Sequence, residues 1–316
     1  MKILQQSANV LVPETPMKHI EKIVRICYKS EDKIADGTDR KFVERMFKSG
    51  HHAMLEHYRF IMEVQPMIYE QLMTVAHPHI GMTAGGDRFV ISFNARALTN
   101  IVGDSHAADF GVLPMAIASI RDELIAHIVR EYDCYELFGW DRNDVHMLST
   151  GIEFIDNDPD AMSDEEWMIH GWMSGHMITD RGISHEIVRH REEASFAQES
   201  TRYCNYGNNK FGNEITVIDQ GFEDHIRSKW ECAMMYSEEM YFGLLKCGLT
   251  PQMARSVLPT CLKTEIVMTA PMYEWKHFFD LRMQGTTGAP HPMVQDLSTM
   301  LYDKMLEVYH YAFYEN

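Results

Sequence analysis

Segments with helical hydrophobic spacing and short strand-like runs follow one another along this whole chain. In residues 16–30, Ile20, Val24 and Cys27 recur at steps of three and four, which places them on one face of a helix. In residues 60–64, apolar side chains occupy every second position, the spacing typical of a strand. The pattern therefore predicts a mixed chain of helices and strands.

The same criteria predict the remaining elements. The acidic segment NDPDAMSDEE predicts a surface loop, Gly50 is expected to end the second helix, and Gly85 with Gly86 predicts a turn. Predicted strands cover 1–6, 89–93 and 215–218, and predicted helices cover 38–50, 67–76, 113–131, 182–192, 221–248, 263–282 and 292–313.

Charge and cysteine usage limit the function classes. The 316 residues carry a formal net charge of −17, which argues against a general nucleic-acid binder because many phosphates need a basic surface. The six cysteines are scattered without a C-x-x-C pair, and no apolar run is long enough to span a membrane. We therefore expect a protein of the reducing cytoplasm.

One local basic cluster stands out in the segment DRGISHEIVRHREEASFAQESTRYCNY, residues 180–206. On a continuous helix Arg189 and Arg191 would point to nearly opposite sides, with His190 between them. From an extended segment Ser200 and Arg202 would point the same way, which suits a shared phosphate. Charge alone equally allows a solvated helix face paired with neighbouring glutamates.

Four ordered elements resemble the flavin-dependent thymidylate synthase family. The R-H-R triplet followed by S-x-R-Y is similar to the family signature, and GHHAMLEH, residues 50–57, is similar to its G-H-x-[ST]-x-x-E-H element. MARSVLP, residues 253–259, resembles the A-R-x-V-L-P element. FFDLR resembles the segment whose arginine, here Arg282, faces the uracil ring.

The resemblance implies reductive methylation of dUMP with FAD, NADPH and 5,10-methylenetetrahydrofolate. It implies a catalytic role for Arg282, which would stabilise the ionised uracil N3 with a fixed positive charge. The cofactor-binding residues it implies are His51, Arg189, His190, Arg191 and Gln198. The substrate-binding residues it implies are Glu186, Arg189, Gln198, Glu199, Ser200, Thr201, Arg202 and Arg255, the last on the phosphate.

The expected fold is a single α+β domain over residues 1–316, elaborated by a central insertion at about 66–174. The resemblance further implies a homotetramer that binds small molecules, with no nucleic acid polymer and no membrane among its partners. No metal site is predicted, because His51, His57, His77 and His79 lack paired ligand spacing on one element. Cys204 is interpreted as a packed residue rather than a reactive thiol.

The chain departs from the family pattern at three places. Eight residues instead of seven separate R-H-R from Ser200, and a bulge or a loosened helix end must absorb the extra one. Ala53 replaces a hydroxyl residue that touches the cofactor, a loss of about 1 kcal/mol. Two alternatives stay open. The lengthened connection makes a hydroxymethylase of pyrimidine nucleotides plausible, and the second alternative is a flavin- or nucleotide-binding relative without turnover.

The third departure lies before Arg282. The family commonly has N-x-R-x-x-x-N on FAD, whereas this chain has Pro271, Tyr273 and His277 in those places. The same spacing occurs in NARALTN, residues 94–100, so we expect the insertion to supply this flavin contact. The residues concerned are Asn94, Arg96 and Asn100. The alternative is that Asn94 only caps a helix.

Overall fold

The computed structural model describes residues 1–74, 79–103, 113–118, 120, 122–132, 151–208 and 211–314. His77 lies outside the described residues. The strands are β1 (Lys2–Leu4), β2 (Ser7–Val10), β3 (Arg59–Val64), β4 (Ile80–Gly85), β5 (Arg88–Asn94), β6 (Ile152–Phe154), β7 (Trp172–Asp180), β8 (Ser195–Gln198), β9 (Thr216–Ile218) and β10 (Lys263–Pro271).

The helices follow in chain order. They are α1 (Pro16–Tyr28), α2 (Thr38–Lys48), α3 (Pro66–Met73), α4 (Ala95–Gly103), α5 (Leu113–Ala118), α6 (Glu123–Glu131), α7 (Asp164–His170), α8 (Arg181–Ile187), α9 (Asp224–Lys246), α10 (Pro251–Ala254), α11 (Met272–Arg282) and α12 (Pro292–Tyr309). The mixture of helices with largely antiparallel sheets confirms the α+β class.

The described strands form two four-stranded sheets and one pair. The first sheet has the order β2-β7-β10-β8 and is antiparallel throughout. The second sheet, β4-β5-β3-β6, is also antiparallel, while β1 pairs with β9 in parallel. Most of the second sheet, with α3 to α6, lies within the predicted insertion at about 66–174, whose upper limit falls inside β7.

Helices cover both sheets and form the main cores. The first sheet packs against α11 and α12, where Trp275, Phe278 and Phe279 are fully buried. Gly175 of β7 is required there, because a Cβ atom would come within 2.8 Å of the Trp275 ring. The second sheet packs against α1 to α6 in a separate core. No helix among the described residues is long and apolar enough to cross a membrane.

The prediction of one helix over 263–282 was wrong for its first half. Residues Lys263–Pro271 form the central strand β10, which pairs with the whole of β7 on one side and with β8 on the other. Every β10 residue after Lys263 is buried, so the strand has no polar face and no alternating pattern. A short run that is buried on both faces cannot be told from a buried helix by spacing alone.

The acidic loop prediction at 157–166 was also wrong in its second part. Ser163 and Glu166 form a reciprocal capping box, and α7 begins between them at Asp164. Most of the other predicted elements agree with the structure to within a few residues, including the Gly50 stop at φ 74° and the turn at Gly86 with φ 60°. The strands β2, β4, β6, β7 and β8 were not predicted.

Candidate active site

Helix α8 is the element around which the predicted site residues lie. Asp180 accepts a hydrogen bond from the Ile183 amide at 2.7 Å and so caps its first turn. The helix ends at Ile187, not at residue 192, and the R-H-R triplet follows in an irregular turn. The prediction that one helix carries Arg189 and Arg191 on opposite faces was therefore wrong.

Arg282 is held at the end of α8 by three contacts. Its Nη1 donates to Glu186 Oε2 at 2.8 Å, and its Nη2 donates to the Glu186 carbonyl at 3.2 Å. Its Nε donates to His190 Nε2 at 3.2 Å. The structure thus brings together Arg282, Glu186 and His190, which are up to 96 residues apart in sequence. A guanidinium fixed in this way is a preorganised positive charge.

Arg189 and Arg191 are both exposed. Within the described part of the chain, neither side chain has an ion-pair or hydrogen-bond partner. Two unpaired guanidinium groups flank the buried His190, so the turn offers positive charge to an anionic ligand. This donor set fits the pyrophosphate of a dinucleotide such as FAD.

A cavity of about 310 Å³ with a mixed polar and apolar lining lies beside α8. Arg255 donates from Nη1 to Thr201 Oγ1 at 2.9 Å, and both residues line this cavity. Arg181 and His185, one helical turn apart on α8, also line it. Two arginines, a histidine and hydroxyl groups are the chemistry that binds a phosphate. Their four-residue spacing was the sequence signal that they share one face of a helix.

Ser200 and Arg202 do not extend from a strand as predicted. Residues 201–203 form a turn, and Ser200 Oγ accepts a hydrogen bond from the Arg202 amide at 3.3 Å. Arg202 is exposed and donates from Nε to Gln252 at 3.1 Å. The prediction assumed an extended segment, in which side chains two residues apart point the same way. In a tight turn they do not.

Gln198 is the last residue of β8, and Glu199 follows it. Gln198 donates to Ser184 Oγ at 2.8 Å and to Thr264 Oγ1 at 3.1 Å, which joins β8 to α8 and β10. The carboxylate of Glu199 is buried and accepts from Lys263 Nζ at 2.8 Å. In this structure both side chains are bound to protein groups.

Glu193 lies in the eight-residue connection between the R-H-R triplet and Ser200. It adopts a left-handed conformation with φ 53°, between the end of α8 and the start of β8. Its carboxylate lies 2.9 Å from Nη1 of Arg59, whose side chain is only 2% exposed. The predicted loosened helix end is confirmed, and the buried Arg59 on β3 holds the turn in place.

Asn94 is the last residue of β5, and Arg96 and Asn100 lie on α4, which follows directly. Asn94 is buried, and its Oδ1 accepts from the Ala97 amide at 2.7 Å, as the helix-cap alternative requires. Arg96 is 52% exposed and pairs with Glu56, whose other oxygen accepts from Ser195 Oγ at 2.9 Å. Asn100 is exposed. Arg96 is thus linked through one carboxylate to the first residue of β8.

His51 is exposed and precedes a 3-10 turn, His52–His57. It lines a cleft on the α1 and α2 side, together with Arg25, Lys33 and Arg45. Ala53, in the same turn, is also exposed, so a missing hydroxyl there leaves no unpaired buried group.

A buried chain of hydrogen bonds joins His57 to His19 and was not predicted. His57 Nδ1 lies 2.7 Å from Thr269 Oγ1, which lies 2.7 Å from Ser174 Oγ, which lies 2.9 Å from His19 Nε2. Burial lowers the pKa of His57 to about 4 and that of His19 to about 3. These histidines are therefore neutral at physiological pH.

The thiol of Cys204 is a further group that could react. Cys204 is 1% exposed, and burial raises its thiol pKa to about 12, which fits a packed residue. Among the residues the structure describes, no group of three histidine, cysteine or acidic side chains is placed to hold a metal ion.

Residues 168–307, which contain both the Arg282 contacts and the Arg255 cavity, match the family described as thymidylate synthase complementing protein (Thy1). The match over this part of the chain confirms the resemblance.

Particular relatives are flavin-dependent thymidylate synthases. That of Pyrococcus abyssi is 36% identical over 105 residues, or 33% of this chain and 42% of the relative. That of Sulfurisphaera tokodaii is 32% identical over 154 residues, or 46% of this chain and 55% of the relative. The chain thus spans about half the length of these relatives or less.

A solved structure, the UMP/dUMP methylase PolB from Streptomyces cacaoi bound with 5-Br dUMP, aligns with a TM-score of 0.39 and 14% identity. The alignment covers 98% of this chain and 93% of that one.

Proposed function

We propose that this protein catalyses the FAD-dependent reductive methylation of dUMP to dTMP, with methylenetetrahydrofolate as carbon donor and NADPH as reductant. The observation that carries the proposal is the family match over residues 168–307, the segment that holds Arg282 against His190 and Glu186. Bound FAD, once reduced, would supply the electrons and pass the carbon unit to the substrate.

The chain's own residues divide the work of binding. Arg189 and Arg191, unpaired among the described residues, would bind the phosphates of FAD, with His190 between them. Arg255, Thr201 and the neighbouring Arg181 would bind the dUMP phosphate in the cavity of about 310 Å³. Arg282 would stabilise negative charge on the uracil ring, because Glu186 and His190 hold its guanidinium in a fixed orientation.

A homotetramer fits this arrangement. Within the described residues, the cavity of Arg255 lies on the Arg181 and His185 side of α8, and its lining does not include Arg282. A second copy could therefore supply the complementary half of each site. Helix α9 offers the surface, because only Tyr241 of its 23 residues is buried.

Arg96 remains a proposed FAD ligand. It is exposed, and Glu56 links it to Ser195 at the start of β8. The side-chain oxygen of Asn94 accepts the hydrogen bond that caps α4. The guanidinium of Arg96 is therefore the group that would reach the cofactor.

Flavin titration tests the binding part of the proposal. The purified protein is expected to be yellow or to acquire FAD readily, and Arg96→Ala to weaken FAD binding by about 1.5 to 3 kcal/mol, the contribution of a charged donor. Tyr273→Ala is the matched control and should leave affinity unchanged. A colourless protein that binds no flavin contradicts the proposed function, whereas equal affinities for native protein and Arg96→Ala remove only Arg96.

Product identity tests the chemistry. Incubation with dUMP, methylenetetrahydrofolate and NADPH should yield dTMP. A hydroxymethylated nucleotide would instead support the related hydroxymethylase, and NADPH oxidation that does not depend on dUMP would support a binding protein without turnover.

A further inference from the structure

The two ring nitrogens of His190 face different partners. Nε2 lies 3.2 Å from Nε of Arg282, and a guanidinium can only donate hydrogen bonds. Nε2 must therefore accept, which leaves the proton of the neutral imidazole on Nδ1. In the other tautomer, two N–H groups would point at each other.

Nδ1 of His190 faces the carboxylate of Glu274. The Oε1 atom lies 3.6 Å away, and the two side chains are only 2% and 3% exposed. This separation is longer than a hydrogen bond, and Nδ1 has no hydrogen-bond partner in the described residues. A buried negative charge at this distance favours the tautomer that points N–H toward it and disfavours the one that points a lone pair toward it.

Helix α11 presents both partners on one face. Glu274, Phe278 and Arg282 are spaced by four residues and form one stripe along the helix. The imidazole of His190 lies across this stripe, with its centroid 4.9 Å from that of the Phe278 ring in an edge-on contact. The helix therefore holds the ring in the middle and presents an acceptor at one nitrogen and a donor at the other.

We propose that Glu274 is a positioning residue for the reaction, which fixes the Nδ1–H tautomer of His190 and through it the orientation of Arg282. This inference rests on the proposed function, because it gives His190 and Arg282 their roles. Glu274 itself touches neither substrate nor cofactor in the proposal. The chain of contacts runs from Glu274 to His190, then to Arg282, and ends at Glu186.

The test compares Glu274→Gln with Glu274→Leu. The glutamine loses the negative charge but keeps an oxygen whose partial negative charge can face Nδ1–H, whereas leucine of similar volume removes both the charge and the oxygen. The ring nitrogens of His190 are observed by ¹⁵N NMR, with their signals assigned from their loss in His190→Gln. Steady-state kcat and KM for dUMP are measured on the same FAD-loaded proteins.

We expect the Nδ1–H tautomer in the native protein and in Glu274→Gln, and the Nε2–H or a mixed form in Glu274→Leu. We expect kcat of Glu274→Leu to fall about 10- to 100-fold, the loss typical when a residue that orients a functional histidine is removed, with partial recovery in Glu274→Gln. A residue that only stabilised the fold would change the melting temperature without changing the tautomer.

The inference is overturned if native His190 carries its proton on Nε2, or if folded Glu274→Leu keeps the native tautomer and kcat. Should the leucine variant not fold, Glu274→Met, which also lacks the charge and the oxygen, takes its place in the same comparison. Failure of the proposed function is distinguishable, because native protein would then not methylate dUMP, while the NMR measurement needs no turnover.

Discussion

Arg282 carries the chemical claim at the scale of single residues. Its guanidinium is ordered by Glu186 and His190, so it costs little reorganisation to stabilise charge on a ligand. Arg282→Ala should lower dUMP-dependent turnover by about 3 kcal/mol in the barrier, with FAD affinity largely kept. Arg40→Ala, which removes an exposed i,i+4 ion pair with Glu44, is the control. Near-normal turnover of the Arg282 variant would remove it from the mechanism.

Glu193 gives a prediction about stability. Its left-handed backbone is strained in any residue with a side chain, and its carboxylate pairs with the buried Arg59. Glu193→Ala should lose the ion pair and keep the strain, whereas Glu193→Gly loses the pair but relieves the strain. The alanine variant should therefore be less stable than the glycine variant by about 1 kcal/mol in urea unfolding.

Both variants should be less stable than the native protein, by about 3 to 5 kcal/mol if Arg59 stays buried without its partner. Glu193→Gln, which can still accept a hydrogen bond from Arg59, should lie between them and the native protein. Equal stability of the alanine and glycine variants would contradict the left-handed conformation.

Residue identities could be predicted from sequence better than their geometry. The motifs named Arg282, Glu186, His190, Arg255 and Thr201 as site residues. The structure brings the first three together and the last two together. The contacts of Arg59 and Glu274 could not be predicted, because they depend on how β3 and α11 approach the R-H-R turn. Sequence spacing does not report distances between separate elements.

At the scale of elements, each wrong prediction has a physical cause. Strand β10 and its partner β7 lie at the centre of the first sheet and are buried on both faces, which removes the alternating pattern. Helix α7 begins in an acidic segment because Asp and Glu favour first turns as well as loops. Long helices at the surface, such as α9 and α12, keep their pattern and were predicted to within a few residues.

The two sheets and α1 enclose neutral histidines, which gives a prediction for acid stability. Burial holds the pKa of folded His57 at about 4, against about 6.5 in an unfolded chain. Between these values the unfolded state binds the proton and the folded state does not. The free energy of unfolding should therefore fall as pH drops from about 6.5 to about 4, and this contribution is constant below that.

Urea unfolding at about pH 7.5 and about pH 5 measures this effect. His57 should account for a loss of about 2 kcal/mol between pH 6.5 and pH 5, and His19 acts in the same direction. His57→Gln should show a smaller pH dependence than the native protein. His225→Gln, at a side chain that is 73% exposed, should show the native dependence. An unchanged slope in the His57 variant would mean that this histidine is not buried neutral.

At the scale of the whole molecule, the exposed apolar side chains of α9 bear on assembly. Met235 is 51% exposed and Tyr236 is 63% exposed, in a helix where large apolar groups would normally be covered. If copies of the chain associate through α9, Tyr236→Glu should shift the protein to a smaller species in light scattering. Ser228→Glu places the same charge at an exposed polar position of this helix and is the control. A native monomer would contradict the proposed assembly.

The proposed reaction is the central claim, and one measurement tests it most directly. Purified protein is incubated with FAD, NADPH, dUMP and methylenetetrahydrofolate, and the nucleotide product is identified by mass spectrometry. The account predicts dTMP, formed only when dUMP, methylenetetrahydrofolate and NADPH are all present, and strongly reduced in Arg282→Ala. Unchanged dUMP, or a product other than dTMP, would contradict it.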